Sequence, residues 1–366
     1  MRLTVTVDYA AITRNVDRLR ACASGSALMA VVKADAYGHG LVPAARAARE
    51  GGAAWLGVAQ PDEALALRAA GDTGRVLTWL YGPAVPAREL VAADVDVSAS
   101  SPEVLARIAE GAREAGRVAR VHLCLDTGLS REGVRPEGLD ALLDAAAAAD
   151  DAVRVVGAWS HLAWADAPGH PTIDAQAEVF RAGLARIEAR GIALEVRHLA
   201  NSAATLTRPD LHFDLVRPGI AVYGLPPVED PSGAAFGLEP AMRVTAALAL
   251  VKDAPARAGV SYGHDYVTPR DTRLGLVSAG YADGIFRSAG NTAEVAVGGR
   301  RHRIAGRVCM DQVVLDLGPD ATERAGDEVV LVGADGPSAR EWADWLGTIA
   351  YEIVCRFGGL KEKRPA

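Results

Sequence analysis

The chain has 366 residues, half of them hydrophobic, and a formal net charge of −7. That apolar content supports a sizeable core and excludes global disorder, and the length suits two domains or one large and one small. An acidic balance, with a pI near 5.7, argues against a nucleic-acid binder held by phosphate contacts.

The first residues, MRLTVTVDYA, lack the apolar core of a signal peptide. No apolar run approaches the roughly 20 residues that span a bilayer. Residues 9–21 read as an amphipathic helix, with Asp8 as its N-cap. Short apolar runs then recur at 27–33, 54–59, 75–80, 94–98, 118–125, 153–160, 195–200 and 214–217. Helical-period segments lie between most of them, among them 61–70, 102–115 and 172–190. Short apolar strands alternating with helices imply βαβ units. Eight such units predict a closed (β/α)8 TIM-like barrel over residues 1–236.

Past Pro227 the stretch PPVEDPSGAAFGLEP is rich in Pro and Gly and reads as a boundary. The runs at 243–251, 272–278, 293–297, 312–317 and 328–332 lack intervening helices. They predict a mostly β, antiparallel domain over residues 237–366, with one short late helix at 338–350. Cys22, Cys124, Cys309 and Cys355 are far apart, so neither a disulfide framework nor a metal site is expected, and His264 with Asp265 lacks metal-ligand spacing. The expected setting is the cytoplasm.

Only four residues are lysine, against 35 arginines. Lys361 and Lys363 belong to a polar tail and Lys252 precedes Asp253. Lys33 instead ends the apolar run ALMAVV, where an ammonium is costly unless paired or neutral. In a barrel the active site lies at the C-terminal ends of the strands. Those positions hold Lys33 with Tyr37, the segment Asp126–Arg131, Ser160–His161, Asn201–Ser202 and Arg217–Ile220. The loops after strands seven and eight are the usual phosphate site of this fold. There Ser202 offers a hydroxyl, and the backbone at Gly219 and Ile220 can approach closely. A pocket lysine facing a phosphate cradle suits a phosphorylated aldehyde cofactor, pyridoxal 5'-phosphate above all. Taken singly, Lys33 is a snorkelling strand-end lysine, His161 and His198 are core histidines, and Asn201–Ser202 is a helix cap. His122, Cys124 and Cys355 read as structural.

AVVKADAYGHG at 30–40 resembles the cofactor-attachment signature of alanine racemases. LDTGLSR (125–131), SHLA (160–163), HLANSAA (198–204), RPGIAVYG (217–224), SYG (261–263), GYADG (280–284), CMDQ (309–312) and YEIVC (351–355) resemble that family's further motifs in its order. The resemblance implies interconversion of L- and D-alanine by two bases. Lys33 would carry the cofactor and act as one base. Tyr262, from the partner chain of a homodimer, would be the other. Tyr37, Asn201, Ser202, Gly219, Ile220 and Tyr351 would bind the cofactor, mainly its phosphate. Arg217 would meet the pyridine nitrogen, with His161 against it. Arg131 and the backbone of Met310 would hold the substrate carboxylate, and Tyr281, Cys309 and Asp311 would line the entrance.

One departure stands out. Where the family often has a lysine that becomes carbamylated and positions the arginine, this chain has Cys124. Glu132 is next to Arg131, but neighbouring side chains usually diverge, so Arg131 is expected to lack its partner and to be less rigid. The rival readings are a racemase for another small amino acid such as serine, a decarboxylase of the same architecture, and a non-catalytic pyridoxal-phosphate carrier. The decarboxylase motifs are missing, and a carrier would resemble the barrel alone.

Overall fold

The computed structural model describes residues 3–82, 84–228, 235–359 and 363–365. Residues 229–234 of the boundary stretch, and Lys361 of the tail, lie outside the described residues. The described chain begins with strand β1 (Leu3–Val7) and helix α1 (Tyr9–Cys22), then β2 (Ala27–Val31), α2 (Lys33–Gly38) and α3 (Leu41–Glu50). Strand–helix alternation continues with β3 (Trp55–Val58), α4 (Pro61–Ala69), β4 (Arg75–Thr78), α5 (Ala87–Ala92), β5 (Asp96–Ala99), α6 (Pro102–Ala115) and β6 (Ala119–Cys124). It ends with α7 (Leu139–Ala148), β7 (Val153–Trp159), α8 (Pro171–Ala189), β8 (Val196–His198), α9 (Ser202–Thr207) and β9 (Leu215–Val216).

Strands β2 to β9 form one parallel sheet in the order β8-β7-β6-β5-β4-β3-β2-β9. It closes on itself where the Arg217 amide donates to the Ala200 carbonyl at 2.8 Å and Asp214 donates to Arg197 at 3.1 Å. These strands are buried on both faces, as a barrel wrapped by helices requires: β3, for example, has no exposed residue. The helices obey local rules. Pro102 opens α6 behind Ser101, whose side chain caps the Val104 amide, and Gly116 ends it with φ +63°.

The second sheet is built from β10 (Met242–Ala254), β13 (Thr272–Val277), β14 (Glu294–Val297), β15 (Arg300–Arg303), β16 (Val313–Gly318), β17 (Glu328–Val332), β18 (Lys363–Pro365) and β1. The short strands β11 (Gly259–Val260) and β12 (Tyr266–Val267) pair only with each other. Pairing is antiparallel except between β1 and β18.

Two expectations need correction. The barrel does not begin at residue 1, because β1 pairs with β10, matching Leu3 with Ala246. Its alternating LTVTV burial is that of a strand with one face inward. The single late helix is two, α10 (Ala339–Leu346) and α11 (Ala350–Gly359). Ser338 and Glu341 form a capping box before α10, and Gly347 at φ +68° stops it.

Backbone contacts divide the chain into two compact units. One comprises Ala10–Ala36 and Leu41–Glu239; the other comprises Met1–Tyr9, Tyr37–Gly40 and Pro240–Ala366.

Candidate active site

In the barrel unit the site residues stand just past the strand ends. Lys33 follows β2 and opens an unusual turn. From Ala34 to Tyr37 every residue has φ between +53° and +55°, so α2 is a left-handed turn without a glycine until Gly38. Left-handed helix costs about 1–2 kcal/mol per residue, a strain that surrounding contacts must over-determine. Here Asp35 accepts from the Leu41 amide at 2.7 Å and donates its own amide to Glu63 at 3.2 Å.

Arg217, after β9, is the most tightly held group. Its Nη1 donates to the His198 carbonyl at 2.7 Å, and its Nη2 donates to the carbonyls of Ser160 at 2.6 Å and Leu199 at 3.3 Å. His198 Nδ1 lies 3.3 Å from Nη1, and His161 Nδ1 lies 3.5 Å from Nη2. The guanidinium also faces the Trp159 ring. Among the described residues its Nε–H makes no hydrogen bond. Burial pulls its pKa down to about 10, which still leaves it charged at neutral pH. His161 feels burial first, then the charges of Arg217, Arg131 and Lys33, and its pKa falls to about 3. His161 is therefore a neutral imidazole beside Arg217.

After β8, Asn201 caps α9 by accepting from the Ala204 amide at 3.2 Å, so its side chain is engaged within its own loop. The Ser202 hydroxyl oxygen accepts from the Gly219 amide at 2.7 Å and from Ala221 at 3.4 Å. Its own proton therefore points to a further acceptor. The Ile220 amide makes no hydrogen bond among the described residues.

Arg131 does not lack a carboxylate. Its Nε and Nη2 donate to Glu132 at 2.5 and 2.7 Å, a bidentate pair. Neighbouring side chains diverge on regular backbone, but here Ser130 adopts φ +56° and Gly133 φ +102°. Asp126 bends the loop by accepting from the Gly128 and Ser130 amides, both at 3.0 Å. Cys124 is buried, and its thiol is pushed up by burial first and then by the Glu132 charge. It stays protonated, and Glu132, against expectation, gives Arg131 the carboxylate partner that Cys124 cannot.

The second unit gathers the remaining residues in two places. The Tyr37 and Tyr351 rings are tilted against each other at 6.1 Å. Burial, then Tyr351 and Cys355, push the Tyr37 phenol up, so it stays protonated. Elsewhere, Tyr262 follows Ser261, which has φ +61° and donates from its hydroxyl to the Arg307 carbonyl at 2.7 Å. Ser261 also lies 3.4 Å from Cys309 Sγ. The Tyr281 amide donates to the Cys309 carbonyl at 3.0 Å, and Ala282 donates to Met310 at 2.9 Å. Gly280 permits this: a Cβ there would lie 2.3 Å from the Cys309 carbonyl oxygen. Tyr262, Tyr281, Cys309, Met310 and Asp311 thus belong to one knot of turns. Tyr262 is 71% exposed and Met310 54%.

Comparison with known proteins shows the family. Residues 7–227 match the alanine racemase N-terminal domain, and residues 241–364 match the alanine racemase C-terminal domain. The chain belongs to the alanine racemase family. Alanine racemase of Salinispora arenicola is 55% identical over 98% of this chain and 97% of its own length. That of Mycobacterium tuberculosis is 51% identical over 95% and 92%. The crystal structure of alanine racemase from D-cycloserine-producing Streptomyces lavendulae aligns with a TM-score of 0.96 at 52% identity, covering 100% of this chain and 97% of that one. Alanine racemase of Bacillus anthracis with bound L-Ala-P aligns at 0.86 and 33% identity, covering 98% and 93%. The reaction is the interconversion of L- and D-alanine, an isomerisation, in a family that works with pyridoxal phosphate. Among the described residues no helix is long and apolar enough to cross a membrane, and no group of three or more metal-ligating side chains occurs.

Proposed function

We propose that this chain racemises alanine with two bases, Lys33 and the partner subunit's Tyr262, at a pyridoxal-phosphate site in the barrel mouth. The residues present suit that cofactor. Lys33 is an amine among partly buried groups, Ser202 has a proton to give to a phosphate, and Arg217 has an unused Nε–H to give to a ring nitrogen. Bound there, pyridoxal phosphate supplies an aldehyde for the lysine and a ring that spreads the charge left when the α-proton departs.

This chain's residues do the rest. Arg131 binds the substrate carboxylate. Lys33 Nζ and the Tyr262 phenol each take or return a proton at Cα, and racemisation needs them on opposite faces. Arg217 cannot surrender a proton near neutral pH, so it would donate a hydrogen bond to a ring nitrogen without protonating it, which would limit charge delocalisation and favour return of the proton. Tyr37, Tyr351, Asn201, Gly219 and Ile220 are assigned to the cofactor, Met310 to the substrate, and Tyr281, Cys309 and Asp311 to the entrance.

A homodimer is part of the proposal, supported by the 71% exposure of Tyr262 in a single chain. The four free cysteines fit a cytoplasmic setting. The observation that carries the reading is Arg217 beside His161, with Nη1 and Nη2 taken up by the carbonyls of His198, Ser160 and Leu199 and Nε–H left over.

Cα-deuterium exchange of each alanine enantiomer in heavy water tests it. Tyr262→Ala should lose abstraction mainly from L-alanine and Lys33→Ala from D-alanine. Unimpaired racemisation in both variants would refute the two-base reading. Borohydride should fix the cofactor on Lys33 and on no other lysine.

A further inference from the structure

Behind Arg217 a line of buried polar groups runs through the barrel interior. His198 is the last residue of β8, His122 lies within β6, and Asp96 is the first residue of β5. All three side chains are fully buried. His198 Nδ1 faces Arg217 Nη1 at 3.3 Å, His198 Nε2 faces His122 Nδ1 at 2.9 Å, and His122 Nε2 faces Asp96 Oδ2 at 3.1 Å. Asp96 is held in turn by Arg75 at 2.5 Å and Arg120 at 2.6 Å. The line therefore spans from the N-terminal to the C-terminal ends of the strands. Trp159 stacks on His198 and Trp55 meets His122 edge-on.

Donor chemistry fixes the direction of every link. A guanidinium only donates, so His198 Nδ1 must accept and its proton must be on Nε2. His122 Nδ1 then accepts from His198, and His122 carries its proton on Nε2, where a carboxylate accepts it. Burial and the Arg217 charge drive the His198 pKa well down, in accord with a neutral ring. Either imidazole in the other tautomer would set two donors or two acceptors face to face in a dry interior, where an unmet polar group is costly.

We propose that Asp96 and His122 are positioning residues for Arg217. They fix the His198 tautomer from the far end of the barrel and hold the guanidinium in the orientation that leaves its Nε–H toward the mouth. The proposal rests on the reading of Arg217 at the cofactor ring.

The test uses the holoenzyme. Proton–nitrogen correlation spectra of 15N-histidine-labelled protein should show His122 and His198 as neutral Nε2–H tautomers. An Nδ1–H tautomer or an imidazolium at either position overturns the proposal without any variant. His122→Phe keeps ring volume but removes the acceptor. It should displace the His198 nitrogen shifts, move the visible absorption band of the bound cofactor, and lower kcat about tenfold, as loss of an outer partner typically does. His122→Asn can still accept from His198 and should largely restore both signals, and it serves where the phenylalanine variant fails to fold.

Arg217→Lys separates the two readings. If it moves the absorption band and His122→Phe does not, the positioning role is overturned. If neither moves the band, the placement of Arg217 at the ring has failed, and the positioning role falls with it.

Discussion

Replacing Asp96 with asparagine removes one charge and almost no volume, so it isolates the electrostatics at the closed end of the barrel. The Asp96 side chain is 0% exposed and meets Arg75, Arg120 and His122 at 2.5, 2.6 and 3.1 Å. Breaking a buried pair from one side costs about 3–5 kcal/mol, because the partner charge is left stranded. Two features favour the lower end. Arg75 and Arg120 retain 32% and 26% side-chain exposure, so water screens part of their charge. Asparagine also keeps an oxygen for the His122 Nε2–H. The expected loss is about 3 kcal/mol.

Asp94→Asn is the control. Asp94 also pairs with Arg120, at 2.8 Å, but is 48% exposed, and asparagine tolerates its φ of +60°. It should cost less than about 1 kcal/mol. Urea unfolding followed by tryptophan emission reads both variants, since Trp55 touches both Arg75 and His122. Burial acts to raise the Asp96 pKa, but the hydrogen bonds from His122 and Arg75, with the Arg75 charge, outweigh this and lower it. The wild-type advantage should therefore be full above about pH 4 and shrink as pH falls through the depressed value. Equal losses for the two variants, or a gap that does not close in acid, would refute the reasoning.

Gly157→Ala should be severe for its size. The new Cβ would lie 2.2 Å from His122 Nδ1, an overpacking expected to cost about 1–3 kcal/mol by thermal or urea unfolding, with loss of the His122–His198 bond. Glu132→Gln removes half of a bidentate grip on Arg131; because Arg131 is 57% exposed, lost orientation should outweigh gained charge, and KM for alanine should rise about three- to fivefold, or about 1 kcal/mol. A KM that falls would mean Glu132 chiefly competes with the substrate. Mixing inactive Lys33→Ala and Tyr262→Ala chains after dissociation should restore about one quarter of wild-type activity if each site draws on two chains. No recovery, despite mixed dimers by mass spectrometry, would place both bases in one chain.

The barrel was legible because its strands are continuous apolar runs, and Lys33 stood out because it ends one of them. Helix α3 was harder, with Pro43 in its first turn, and α7 was obscured by the tract AAAAA. The Glu132 contact depends on a positive φ at Ser130, which a non-glycine residue does not announce. His122 and Cys124 are two apart on β6 and so share a face. The partner on that face depends on the register shift between Val121 and His122, which sets His122 beside Gly157. A bulge of one residue is invisible to periodicity. The Asp96–His122–His198 line therefore required coordinates, although each member was a polar residue inside a predicted strand.

The position of β1 bears on how the polypeptide is made. LTVTV is synthesised well before both of its partners: its antiparallel partner β10 begins at Met242 and its parallel partner β18 at Lys363. Every pairing within the barrel sheet is complete by Val216. The barrel can thus fold during synthesis while an alternating, unpaired strand waits upstream of it. Such non-local pairing is slow to form and exposed to wrong partners meanwhile. Thr4 and Thr6, on the half-exposed face of that strand, make it a poorer template for another chain than an all-apolar run would be.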